Sequence, residues 1–108
     1  MAYEKVSGIY KITSPSGRVY VGKTHDIRKR WGTYKRMQCR TQSRLYASFV
    51  KYGVNNHVFE IIERCEIDLL EVLERKYQEE YNVLGKNGLN CVICTDRDWE
   101  THDYLLRI

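Results

Sequence analysis

Gly8-Ile9-Tyr10-Lys11-Ile12-Thr13-Ser14-Pro15-Ser16-Gly17-Arg18-Val19-Tyr20-Val21-Gly22 decides how this chain folds. Ile9 to Thr13 and Arg18 to Gly22 are β-branched and aromatic runs. Between them stand a proline, which pre-sets one turn torsion, and a glycine, which permits positive φ, so the stretch reads as a β-hairpin. A turn symmetric about Pro15 puts Tyr10 directly opposite Tyr20, with Gly8 and Gly22 on the same face. Two small residues beside two phenols leave an open floor where a packed core ordinarily carries bulk. A cross-strand aromatic pair that only stabilises the sheet is the plainer reading, and the hairpin alone does not decide against it.

Beyond the hairpin, Thr24 to Met37 reads as a helix, opened by Thr24 and Asp26 and carrying Ile27, Trp31 and Tyr34 at helical spacing. Arg30 and Tyr34 are four apart and share a face that can fold back over the Tyr10 and Tyr20 surface. The guanidinium of Arg30 is a fixed cation whose forked donors suit a phosphate oxygen. Its plainer role is an ion pair with Asp26 on a solvated face, worth about 0.3 to 0.5 kcal/mol. Ile67 to Leu84 gives a second helix, with Asp68 and Glu71 as a capping box and Leu70, Leu73, Tyr77, Tyr81 and Leu84 as an apolar stripe. Glu74 falls inside that stripe, and a carboxylate aimed at a core needs a partner or a metal. Glu80 lies near the stripe's edge, so periodicity alone does not single out Glu74; Glu71 and Glu79 read as solvated charges. A helix over Ser43 to Tyr52, a third strand over Val58 to Arg64 and a terminal helix after Asp96 complete the pattern. The fold class is α/β, a small three-stranded antiparallel sheet flanked by helices, in one domain of 108 residues.

Taken together, Gly8-Ile9-Tyr10, Tyr20-Val21-Gly22, the Arg30 and Tyr34 pair, Glu74 with Tyr77, and Asn90 after Asn87-Gly88 resemble the GIY-YIG nuclease superfamily. The resemblance covers about residues 7 to 92 and leaves 95 to 108 as a tail. Leu45 to Gly53 followed by Phe59-Glu60 resembles phage homing endonucleases and their freestanding relatives, while Tyr20 to Tyr34 is also similar to the incision domain of nucleotide-excision repair. What the resemblance implies is a DNA endonuclease that cuts one strand per active site with one divalent ion, Mg2+ or Mn2+, held by Glu74. Tyr10, Tyr20, Arg30 and Asn90 are the other matching positions; Tyr34 joins the expected catalytic set, and Lys23, Arg28 and Lys35 are read with Asn90 as substrate contacts. Val21 departs from the usual isoleucine and faces away from Tyr20. Position 34 is tyrosine, as in the repair branch, where some homing members carry histidine.

Phosphodiester hydrolysis needs an activated water, neutralised non-bridging oxygens and a stabilised leaving alkoxide. Magnesium takes one or two protein carboxylates and keeps several waters, so one glutamate suffices. A phenol with a reference pKa of about 10 is a poor base unless a metal and cations such as Lys23 and Arg30 lower it. Tyr10 is the leading candidate for that base and Tyr34 the second, with Tyr20 orienting water or phosphate.

The charges point to the same class of substrate. The chain carries 18 Lys and Arg against 14 Asp and Glu, only mildly basic, but Arg18, Lys23, Arg28, Lys29, Arg30, Lys35, Arg36, Arg40, Arg44 and Lys51 face Asp26 alone between Gly17 and Tyr52. Such a block suits a polyanion. A nucleic-acid-binding module of the same fold without activity is the alternative; the intact Tyr10, Tyr20, Arg30 and Glu74 set favours the enzyme. Cys91-Val92-Ile93-Cys94 has the spacing of a zinc knuckle or redox pair but no second close pair of ligands, so four reduced thiols are expected. No apolar run reaches the roughly 20 residues of a membrane span and no signal-peptide pattern opens the chain, which reads as cytoplasmic. DNA is the partner, with room for a homodimer or a separate DNA-recognition domain.

Overall fold

The computed structural model describes residues 5–85 and 88–90. Its elements are β1 (Gly8–Thr13), β2 (Val19–Thr24), α1 (Ile27–Lys35), α2 (Ser43–Tyr52), β3 (Val58–Arg64) and α3 (Leu70–Glu80). The strands form one antiparallel sheet in the order β2-β1-β3, so the three-stranded α/β reading holds. The terminal helix expected after Asp96 lies outside the described residues, as do Cys91 and Cys94.

The hairpin register differs from a turn centred on Pro15. Ser14 N–H donates to Arg18 O at 2.8 Å and Gly17 N–H to Ser14 O at 2.9 Å, with Gly17 at φ 86°. Three residues thus make the loop, glycine supplying the left-handed position that a three-residue hairpin loop requires. The ladder therefore pairs Tyr10 with Gly22 and Ile12 with Tyr20. The two phenols share a face but sit diagonally. Gly22 is the residue beneath Tyr10: a Cβ there would stand 2.5 Å from the Tyr10 hydroxyl.

Helix boundaries moved for local reasons. Residues through Thr24 belong to β2, and α1 opens only at Ile27, with Asp26 as N-cap accepting from Lys29 N–H at 3.2 Å. It ends because Met37 takes φ 61°. The Asp68 and Glu71 capping box does not form. The chain enters α3 through a single 3-10 turn over Ile67–Leu69, so Leu69 at the cap is already helical and makes no side-chain cap bond. Asn82, at φ 50°, stops the continuation toward Leu84.

β1 is central and buried on both faces. On one side Tyr10, Ile12 and Tyr20 pack with Tyr34 of α1, Leu45 and Phe49 of α2, Cys39 and Leu89. On the other, Ile9 and Val21 meet Leu70, Leu73 and Tyr77 of α3 together with Tyr81 and Val83. The outer edge of β2 is closed by the returning chain: Leu89 N–H donates to Val19 O at 2.8 Å, and Val19 bridges Gly88 in parallel. Arg44 of α2 fastens that return. Its Nη1 donates to Leu84 O at 3.2 Å and Asn90 O at 2.7 Å, and its Nη2 to Gly85 O at 2.8 Å and Gly88 O at 2.6 Å.

Replacing Arg44 with Ala should therefore cost about 2–3 kcal/mol in chemical denaturation, since it strands several partly buried carbonyls. Arg44→Lys should recover little, because one ammonium cannot span that fork. A loss below about 0.5 kcal/mol for Arg44→Ala, the size of an ordinary surface change, would mean the clamp is not needed. A second test concerns His57, which is buried between Ser48 Oγ on Nε2 and Gly53 O on Nδ1, both at 2.8 Å. Burial lowers its pKa, with the Gly53 bond opposing. The unfolded chain therefore takes up the proton first, and stability should fall as pH drops below about 6.5. His57→Gln should flatten that part of the stability curve measured between neutral and mildly acid pH.

Candidate active site

Tyr10, Tyr20 and Tyr34 converge from β1, β2 and α1. Their ring centroids are 6.2 Å apart for Tyr10 and Tyr20, 6.0 Å for Tyr10 and Tyr34 and 6.2 Å for Tyr20 and Tyr34. The Tyr10 and Tyr34 hydroxyls share a short hydrogen bond. Gln42, at the start of α2, donates from Nε2 to Tyr20 at 2.6 Å and to Tyr34 at 3.1 Å. The floor expected to be open is a packed aromatic core. Tyr10 is 1% exposed and Tyr34 0%, while Tyr20 keeps 9%.

Burial dominates the electrostatics of these phenols. It pushes Tyr10 well above the ordinary phenol value; Tyr20 and Tyr34 add to the rise, and Arg30 opposes without reversing it. Cations alone therefore do not deliver the lowering expected for Tyr10. Tyr20 is also raised by burial, then by Tyr34 and by the charge of Glu74, against the hydrogen bond from Gln42.

Glu74 is 8% exposed on the face of α3 that packs against β2. Lys23 Nζ lies 3.5 Å from its Oε1 and 3.7 Å from Glu71 Oε1. Glu71, expected to be simply solvated, is exposed but leans on Lys23. Alternation along β2 puts Lys23 and Tyr20 on opposite faces, yet Glu74 acts on both, so the site wraps around the outer edge of that strand. The donor set fits one hard divalent ion. Glu74 already faces a cation, and a single carboxylate with waters is what magnesium accepts. Among the described residues no group of three or more His, Cys, Asp or Glu forms a metal cage.

The cations separate. Arg30 is exposed and lines a cleft of about 210 Å³ with Thr24, His25, Asp26, Lys29 and Thr33. Arg28 and Lys35 lie on the other flank of α1, around a 400 Å³ apolar cleft with Val6, Ile27, Trp31, Gly32 and Ile61. Arg44, counted in the basic block, is the clamp described above. Asn90 is 4% exposed, and its amide closes a pair of hydrogen bonds with the Val21 backbone, Oδ1 accepting from N–H and Nδ2 donating to O, each at 2.8 Å. Its side chain serves the strand edge and not an open surface. Gln78, 3% exposed, donates to the same Val21 carbonyl at 3.3 Å.

Sequence reasoning passed over Gln42 and Gln78 and read Arg44 as one cation of the basic block, missing its structural role. Gln78 had a signal, standing one turn from Glu74 on the buried stripe. Gln42 and Arg44 had none, because their partners are hydroxyls and carbonyls distant in the chain.

The model of the GIY-YIG catalytic domain matches residues 6–90. Among solved structures, the chain is similar to the catalytic domain of the intron endonuclease I-TevI in a point-mutant form, with TM-score 0.72 and 31% identity over 83% of this chain and 97% of that one. It is likewise similar to the catalytic domain of the homing endonuclease I-TevI, with TM-score 0.69 and 34% identity over 80% and 98%. No curated protein matches. The family model spans most of the chain and the fold agrees with these structures: the chain belongs to the GIY-YIG family of nuclease catalytic domains.

Proposed function

We propose that this chain is a divalent-metal-dependent DNA endonuclease that hydrolyses phosphodiester bonds one strand at a time. The observation that carries this reading is the meeting of Glu74, Lys23 and Tyr20 at the edge of β2. In this reading Glu74 holds one Mg2+ or Mn2+, which supplies charge neutralisation at the phosphate and a more acidic bound water. Arg30 receives a non-bridging oxygen of the scissile phosphate, exposed as it is and adjacent along α1 to Tyr34. Lys23 adds a second cation near the Glu74 carboxylate.

Among the phenols, burial counts against Tyr10 and Tyr34 as the groups that meet water, since their hydroxyls bond each other inside the core. Tyr20 is the most exposed of the three and the one whose phenol feels Glu74. We therefore assign Tyr20 to orient the attacking water and accept its proton, and Tyr10 and Tyr34 to hold it in place. Glu74 is among the groups that raise the Tyr20 pKa, and an ion held by that carboxylate would offset its charge. Arg28 and Lys35 would contact the duplex backbone away from the scissile bond, and Asn90 would position β2 without touching DNA.

Glu74→Gln should abolish nicking of supercoiled plasmid in magnesium while leaving mobility-shift affinity within about threefold, an energy change under 1 kcal/mol. Wild-type cleavage by that variant would remove Glu74 from the site. Arg30→Lys keeps the charge and loses the fork, so the cleavage rate should fall by about 10²-fold, the scale of a lost oriented donor, with a smaller effect on binding. Equal losses in rate and binding would make Arg30 an ordinary electrostatic contact. In a plasmid time course, open circles should precede linear DNA, and chelator should stop both. Concerted linearisation would show two sites acting together.

A further inference from the structure

Gln42 belongs to none of the motifs, yet its side chain reaches the centre of the phenol cluster. It occupies the N-cap position of α2 and makes no side-chain cap bond there. A polar residue at a helix start ordinarily serves the free backbone N–H groups of the first turn. Here the carboxamide instead meets two hydroxyls, Tyr20 at 2.6 Å and Tyr34 at 3.1 Å. The residue is half-buried, so neither bond lies out in bulk water.

The direction of these bonds has a consequence for Tyr20. An amide nitrogen carries two hydrogens and accepts none, so both phenol oxygens are acceptors toward Gln42. The Tyr34 hydroxyl is also bonded to Tyr10. Tyr20 is likewise hydrogen-bonded to Tyr34, so its oxygen is held between Tyr34 and the Gln42 donor. Were that donor missing, the Tyr20 oxygen would lose its tie to α2 and rest on the bond with Tyr34.

We propose that Gln42 is a positioning residue of the active site: its carboxamide donates to the Tyr20 and Tyr34 oxygens together and so fixes where the Tyr20 oxygen stands toward the substrate side. This rests on the assignment of Tyr20 as the phenol that meets the substrate. Gln42 itself touches neither metal nor DNA. A single neutral hydrogen bond of this kind is worth about 0.5–1.5 kcal/mol, enough for up to about tenfold in rate if the orientation matters only during reaction.

Two substitutions separate orientation from packing. Gln42→Met keeps length and volume and removes both donors; Gln42→Glu keeps the shape and presents an acceptor in place of the donor at Tyr20. The tyrosine doublet in the Raman spectrum reports whether a phenol oxygen accepts or donates, and Tyr20→Phe identifies the Tyr20 component among nine tyrosines. We expect the accepting Tyr20 signal to be lost in Gln42→Met and replaced by a donating one in Gln42→Glu. With plasmid and magnesium, kcat should fall about tenfold in the first and further in the second, at nearly constant KM and thermal midpoint. An unchanged Tyr20 signal in Gln42→Met would overturn the hydrogen bond. A changed signal at wild-type kcat, or a loss confined to KM, would overturn the positioning role. If the wild-type chain cut nothing, the nuclease reading would fail separately and the substrate-side role with it, while the Raman spectra still decided the orientation.

Discussion

The outer edge of β2 is the constraint on which the site depends. An edge strand presents a row of N–H and C=O groups that must be satisfied or covered. Here Val21 is the focus: Asn90 bonds both its N–H and its C=O, and Gln78 adds a second donor to the carbonyl. These contacts bring the returning segment and α3 to one line along β2. Glu74, one turn from Gln78, arrives at that line as a result. The side chain that carries the proposed metal chemistry is therefore placed by the same packing that closes the sheet.

The second constraint is steric. Gly22 opposite Tyr10 leaves the Tyr10 ring room to lie across β2, which draws its hydroxyl to Tyr34 and brings Tyr20 alongside. The result is a core that contains hydroxyl groups, and such groups must find partners when buried. They find one another and Gln42. Burial also suppresses the ionisation of Tyr10 and Tyr20, so the cluster is a rigid support, and on the proposed reading the phenol that meets the substrate is Tyr20 at its rim. A wider opening would expose more phenol but would lose the fixed geometry that a reaction at phosphorus needs.

Much of this was legible in the sequence, for identifiable reasons. The α2 and β3 boundaries were read as observed, because Gly53 ends the helix sharply and Val58 to Arg64 is dense in strand formers. Glu74 was visible as a carboxylate on an apolar stripe. The diagonal placement of Tyr10 and Tyr20 was not visible, because a three-residue loop and a loop centred on Pro15 share the same letters. The capping box failed for a similar reason: Asp68 and Glu71 have the right spacing, but the chain was already helical when it reached them. Arg44 looked like one more cation for phosphate. Its inward turn depends on four carbonyls some 40 residues away, which no local pattern encodes.

Charge composition and charge function thus come apart in this domain. The basic block from Arg18 to Lys51 is dispersed in space by the helices that carry it. Arg30 borders the phenols, Arg28 and Lys35 occupy the other flank of α1, and Arg44 is structural. Lys23 has the most specific placement, between Glu74 and Glu71. A buried carboxylate intended for a metal ion is costly until a cation reaches it. An ammonium on a flexible stem meets that need, and with Glu71 also within reach it would not have to stay on Glu74 were an ion held there. On the proposed reading the two glutamates one turn apart divide physically, the buried one toward the ion and the exposed one toward the lysine.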